Sequence, residues 1–233
     1  MRKNINKFIE KSISMLLAII MLLADISPGV VYAMESFNKD DYFIYELMPE
    51  GYRINGLTES GLEKLEQDNY ELTIPNYKDD IPVVSIGNYA FSNKGVKILN
   101  IDDNLKDVGE FSFYHSDEKI NKLEQINTLS DSVIIDTVGI SAFEDNLLED
   151  IPVIRNIKQS AFKSNNIKDY DLSLTELIED GAFIFNDGMT NVVLNKEAVV
   201  ADNAFNMDVN KEYVEKLFTT KEIDNSEEKV DYL

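Results

Sequence analysis

The chain contains no cysteine and no tryptophan, and its only histidine is His115. The missing thiols exclude a disulfide framework, a lipid-bearing N-terminal cysteine and the usual zinc ligand sets. A single histidine leaves nucleophilic catalysis one imidazole base to use. His115 stands in an irregular stretch beside Asp117 and Glu118, and it reads as an exposed loop residue. Positive charge is scarce as well: 22 Lys and Arg face 43 Asp and Glu, a net charge of −21. Such a field opposes nucleic acid and anionic lipid, whose recognition needs Lys and Arg against phosphate. It favours solubility, and a partner drawn by charge would be basic or would bridge through divalent cations.

Long apolar runs are missing too, except at the start. Arg2, Lys3, Lys7 and Lys11 precede an apolar run from Ile13 to Ala24, which Asp25, Pro28 and Gly29 end. A spanning helix needs about 20 apolar residues, more than this run supplies. Val31-Tyr32-Ala33 fits a signal-peptidase site, so residues 1–33 read as a signal peptide, with an uncleaved membrane anchor as the alternative. Without the leader, Lys plus Arg is 18 and Asp plus Glu 41, a net charge of −23. The polar, acidic segment 227–233 shows no hydrophobic sorting tail, so the mature chain is expected to be released or held at the surface non-covalently.

What the chain has in quantity is one repeated phrase, an aliphatic residue followed four places later by a small residue and then phenylalanine. The copies begin at Ile86, Val108, Val138, Ile157, Ile178 and Val200 and end at Phe91, Phe113, Phe143, Phe162, Phe183 and Phe205. The gaps between the phenylalanines are 22, 30, 19, 21 and 22 residues. A period of about 20 to 29 residues marks a leucine-rich solenoid, in which no coil can bury its apolar edge alone. The rings are expected to point inward, with Gly87, Gly109 and Gly139 easing the turn that delivers them. The excess in the 30-residue gap belongs to 114–119 or to 130–137.

A second element recurs between the phenylalanines. Val96–Ile101, Leu123–Ile126, Leu148–Pro152, Ile167–Leu172 and Met189–Leu194 place apolar residues so that a short strand can plug into the core. Stacked coil on coil, these strands would form a parallel sheet. Its outward side chains would be Lys97, Asn100, Glu124, Glu149, Lys168, Asp169, Asp171, Thr190 and Asn191, the candidate partner-binding face. Residues 34–80 lack the repeat and read as an N-terminal cap, with a hairpin around Pro49-Glu50-Gly51 and a short helix after Ser60. Residues 81–208 make about six coils. Asn210 then caps a helix over 209–218 carrying Val214, Leu217 and Phe218, and 219–233 read as a mobile acidic tail.

Ile86–Phe91 and Val96–Ile101, with Leu72–Pro75 and Ile81–Gly87 leading in, resemble the BspA-type leucine-rich repeat family of bacterial surface proteins. The resemblance spans about residues 70–205; it departs at Phe111-Ser112-Phe113 and in the last three copies, which lack the glycine. It implies a secreted or surface-displayed, protein-binding module, associated in some relatives with adhesion to host or extracellular-matrix proteins. Fold class is therefore α+β: a leucine-rich-repeat solenoid of stacked short parallel strands between an N-terminal α/β cap and a C-terminal helical cap. The expected partner is an extracellular or host protein, with a cell-wall glycan as a further candidate. A structural spacer of the cell envelope is the alternative. A secreted hydrolase would need converging acids or a nucleophile, and no such constellation emerges. No cofactor is implied. For calcium, Asp102-Asp103-Asn104 with Asp107, and Asp208 with Asn210 and Glu212, offer oxygens; neither matches an EF-hand, and both read as turns or caps.

Overall fold

The computed structural model of the chain describes residues 41–215. These lie within the second of two compact units, Asp40–Leu233. The expected signal peptide at 1–33, residues 34–40 of the expected cap, the end of the expected capping helix and the expected acidic tail fall outside the described residues.

Strands β1 (Phe43–Met48) and β2 (Gly51–Leu57) pair antiparallel as a hairpin. Helix α1 (Glu59–Gln67) follows, its first turn capped by Thr58, whose Oγ1 accepts the Gly61 N–H at 3.0 Å. It is the one helix among the described residues, so the fold is mostly sheet. Next come β3 (Glu71–Thr73), β4 (Tyr77–Lys78) and β5 (Ile81–Ile86), with β4 antiparallel to β5.

The principal sheet is built from the start of the repeated phrase. After β2 and β5 it takes in β7 (Asp107–Val108), β9 (Ile134–Val138), β10 (Val153–Ile157), β12 (Leu177–Ile178) and β14 (Val199–Val200), all parallel. Ile54, Ile86, Val108, Val138, Ile157, Ile178 and Val200 stand in one register across it. All but the last are buried. The strand thus delivers the first apolar residue of each phrase, and a turn delivers the ring.

The stretches expected to make the continuous sheet form two shorter ones instead. One contains β3, β6 (Ile98–Ile101) and β8 (Gln125–Thr128); the other contains β11 (Tyr170–Leu172), β13 (Asn191–Asn195) and β15 (Asn210–Val214). The coil carrying Leu148–Pro152 has no strand there. Pro152 lacks a ladder donor, and the Asp150 carboxylate accepts the Ile151 N–H at 2.8 Å, so the local backbone is drawn away from pairing. The C-terminal helix is likewise replaced: Asn210–Val214 is a strand parallel to β13, whose open edge supplies partners for its backbone. The extra residues of the long gap are divided between the stretches on either side of β8. Against the 22-residue spacing of Phe91 and Phe113, the pairs Asn100↔Asn127 and Asp107↔Thr137 are 27 and 30 apart, so about five residues enter before β8 and three after it.

The six rings form one stack. Successive centroids from Phe91 to Phe205 are 5.1, 5.2, 5.2, 5.6 and 5.2 Å apart, with interplanar angles of 27° or less. This is the offset-stacked range that ring quadrupoles favour. Phe43 closes one end edge-on, 6.5 Å from Phe91, and the Lys211 ammonium lies 5.6 Å over Phe205 at the other.

Three buried asparagines, each three residues after its phenylalanine, join the coils beside the stack. Asn165 Nδ2 donates to Phe143 O (2.8 Å) and Phe162 O (3.1 Å), while its Oδ1 accepts Leu148 N–H (3.1 Å). Asn146 and Asn186 repeat the pattern one coil before and one coil after. One side chain thereby satisfies backbone groups that a turn would leave buried without partners.

Gly109 and Gly139 serve a different purpose from easing a turn, since neither has a positive φ. A Cβ on Gly109 would sit 2.6 Å from the carbonyl carbon of Gly87, and one on Gly139 2.7 Å from the Glu110 nitrogen. The neighbouring coils approach too closely there for any side chain.

Candidate functional site

The nine residues expected to form one outward face lie in three places. Lys97, Asn100 and Glu124 belong to the first short sheet or its approach, Glu149 to the strandless coil, and Lys168, Asp169, Asp171, Thr190 and Asn191 to the region of the second short sheet. Asn100 is buried; its Nδ2 donates to Glu71 Oε1 (2.7 Å) and Thr73 Oγ1 (3.0 Å), and its Oδ1 accepts from Asn127. Lys97 rests its ammonium 5.7 Å over the Tyr70 ring. Lys168 and Glu149 form an exposed ion pair at 2.6 Å, and Asp171 accepts the Ser173 N–H at 2.8 Å.

Asp169 accepts the N–H groups of Thr190 (2.6 Å) and Asn191 (2.7 Å) and the side chains of both. Bonds from Asn191 foremost hold its carboxyl well below the ordinary aspartate range. Much of the polarity on this wall therefore links one coil to the next.

A broader concave surface lies on the principal sheet. Arg53, Ser85, Asp107, Thr137, Asn156, Leu177 and Val199 stand in one register, each immediately before an aliphatic residue of the inward row. The first four line a groove of about 1000 Å³. Its ground is the bare backbone of Gly87, Gly109 and Gly139, and Asn88 and Glu110 line it beyond the glycines. Lys158 occupies the glycine position of the next coil and pairs with Glu179 of the coil after it at 2.9 Å. That ion pair bounds the groove where the glycines stop.

Of the charged residues lining the groove, Arg53, Asp136, Lys158 and Glu179 are ion-paired. Arg53 lies 3.6 Å from Glu46, and Arg155 bridges Asp136 (3.3 Å) and Glu176 (3.2 Å). Burial pushes the Asp107 carboxyl above its ordinary value, opposed by a bond from Thr137, raised further by Asp136 and opposed by Arg53. Beyond the groove the row becomes apolar, and Leu177, Val199, Val200 and Ala201 edge a shallow hollow of about 320 Å³.

This row has a signature of its own in the sequence, distinct from the alternating stretches. The residue before each opening aliphatic reads Ser, Asp, Thr, Asn, Leu and Val along the six copies, a polar run that turns apolar.

His115 is buried rather than exposed, with Nε2 3.0 Å from Ile120 O. It tethers the loop at the start of the long gap. Of the calcium-type oxygens, Asp102 and Asp103 accept from Asn76, and Asn104 donates to the Asn76 carbonyl, which is a turn lock between coils. Asn210 donates to Asn191 in the short-sheet ladder. Among the described residues, no three His, Asp or Glu side chains converge in a metal-binding arrangement. No described helix is long and apolar enough to cross a membrane.

A stack of near-identical coils with parallel strands on one wall and a ring ladder inside defines a leucine-rich repeat protein. Residues 84–212 match the model for the BspA type leucine rich repeat region in six copies, and the chain belongs to that family. Among solved structures, it is similar to a leucine rich cell surface protein of Faecalibacterium prausnitzii, with TM-score 0.53 and 18% identity over 75% of this chain. The chain spans 50% of that protein's length. It is also similar to a leucine-rich repeat protein of T. pallidum, with TM-score 0.50 and 20% identity over 82% of this chain and 94% of the other. At these identities the likeness concerns the fold. No curated protein matches the chain.

Proposed function

We propose that this chain is a secreted or cell-surface, non-catalytic solenoid that binds another extracellular protein, acting in adhesion. The observation that carries the reading is the groove over Gly87, Gly109 and Gly139. It is long, open and floored by backbone, a shape suited to an extended polypeptide segment more than to an enclosed small substrate. The leader-like residues 1–33 and the surface location stated for the F. prausnitzii protein support export. The partner is basic, because the chain carries a net charge of −21 and the groove holds the carboxylates of Asp107 and Glu110.

The test is a pull-down of the purified chain against extracellular proteins, with cell-wall polymers alongside, at low and high salt. A Glu110→Lys variant and a Lys168→Ala/Asp169→Ala/Asp171→Ala variant are run in parallel. Loss of a specific protein with Glu110→Lys places binding in the groove, and loss with the triple variant places it on the second short sheet. Binding unchanged by salt rejects the basic partner. A glycan captured in place of protein rejects the polypeptide reading. No enriched partner favours an envelope spacer, a reading supported by the apolar outer row of β12 and β14, where Val199 is 67% exposed.

A further inference from the structure

Two residues before each of the first five ladder phenylalanines, the backbone turns through the left-handed region. The residues are Tyr89 (φ 58°), Phe111 (φ 53°), Ser141 (φ 49°), Ser160 (φ 56°) and Gly181 (φ 65°). Three coils fill the position with small residues, for which the conformation is easiest. The first two hold large aromatics, which are rare there and strained. Neither ring contributes to the buried core. Tyr89 is 59% exposed and lies flat on Phe111, with centroids 5.0 Å apart and planes 5° apart, while Tyr114 meets Phe111 edge-on at 5.7 Å. Phe111 is half-buried between Tyr89 and Tyr114, while Tyr89 presents its ring to solvent from a conformation that a serine adopts at lower cost.

Its surroundings define what it would hold. Asn88 and Glu110, which line the groove, immediately precede Tyr89 and Phe111 in sequence. Glu110 has no ion-pair partner among the described residues, whereas Glu179 and Asp136 on the same sheet are paired. Elsewhere the chain places its own ammonium groups over rings: Lys78 over Tyr45 at 5.1 Å, Lys97 over Tyr70 at 5.7 Å and Lys211 over Phe205 at 5.6 Å. No described cation covers Tyr89, Phe111 or Tyr114.

The geometry points to the Tyr89–Phe111 stack as an arginine-recognition platform on the shoulder of the groove. The guanidinium of a partner segment lies against the rings while Glu110 takes its charge. A planar, weakly hydrated guanidinium suits this arrangement better than an ammonium, because it stacks on a ring and bonds a carboxylate in one pose. The assignment rests on the groove reading and adds the chemistry of one contact within it.

The test uses two ten-residue probes, one alternating arginine with glycine and one alternating lysine with glycine, titrated against the purified chain. The wild-type chain binds the arginine peptide about two- to fivefold more tightly. Tyr89→Ser/Phe111→Ser, which copies Ser141 and Ser160, abolishes that preference, keeps residual binding to both peptides, and leaves the melting temperature unchanged or raised. Wild-type binding without preference overturns the assignment alone, and so does a preference that persists in the variant. A fall of several degrees in the variant makes the stack a packing element and also overturns it. If neither peptide binds, the charge-led groove reading fails along with the assignment.

Discussion

Phe113 and Phe143 stack 5.2 Å apart with their planes within 6°, although the longest gap in the repeat separates them. The extra residues leave the ring ladder undisturbed because they enter on either side of β8, away from the wall that holds the rings. The ladder is therefore the constant of the fold, and the loops absorb the variation.

Truncating a central ring should be costly. Phe143 is 1% exposed and stacks on both sides, so Phe143→Ala removes its transfer energy and leaves a cavity that two rigid coils cannot close. We expect a loss of about 3–5 kcal/mol. Urea unfolding of the variant beside the wild type measures it, and an unshifted midpoint would refute the ladder's role.

One copy of the phrase carries a flaw that a single substitution should repair. Ser112 stands where the other copies have Ala90, Ala142, Ala161, Ala182 and Ala204, and its hydroxyl is buried with no hydrogen-bond partner. Ser112→Ala removes an unmatched polar atom and should stabilise the chain by about 1 kcal/mol. A raised midpoint in the same denaturation series is the expected reading.

The asparagine ladder should be less tolerant than its polarity implies. Asn165→Ala strands the Leu148 N–H and weakens the satisfaction of two buried carbonyls, so a cost of about 2 kcal/mol or more is expected. Hydrogen exchange at Leu148 should accelerate, locating the damage at the interface between two coils.

Asp107 makes stability depend on pH in a defined direction. Its carboxyl titrates above the ordinary value in the folded chain because burial disfavours the charged form. The native state thus retains the proton longer than the unfolded state. Its contribution is fully present below the unfolded value, near 3.8, and is lost as pH rises through the higher folded value. Asp107→Asn should raise the melting temperature at pH 7, with the gain vanishing near pH 3. A gain that is the same at both pH values would contradict the burial account.

Much of the architecture was legible in the chain itself. Small residue then phenylalanine, six times at spacings of 19 to 30 residues, calls for six equivalent buried sites, and stacked coils provide them. The site was less legible. Val96–Ile101 and Ile81–Ile86 are both short apolar stretches, and nothing local tells which will pair without interruption from end to end. That depends on neighbours in other coils, such as Pro152 and Asp150, which break the wall the alternating stretches were expected to form. Val214, Leu217 and Phe218 have helical spacing, yet β13 offers an unpaired edge, and pairing along it gives Asn210–Val214 backbone partners throughout the strand.

The sequence by itself determined the period, the buried rings and the charge of this protein, because each follows from the residue types and their spacing. Tertiary structure decided which wall forms the continuous sheet, that Gly109 and Gly139 are required by contact between coils, and that an exposed Tyr89 stacks on Phe111. Those outcomes depend on distances between residues about 20 to 30 positions apart in the chain, set only when the coils close upon one another.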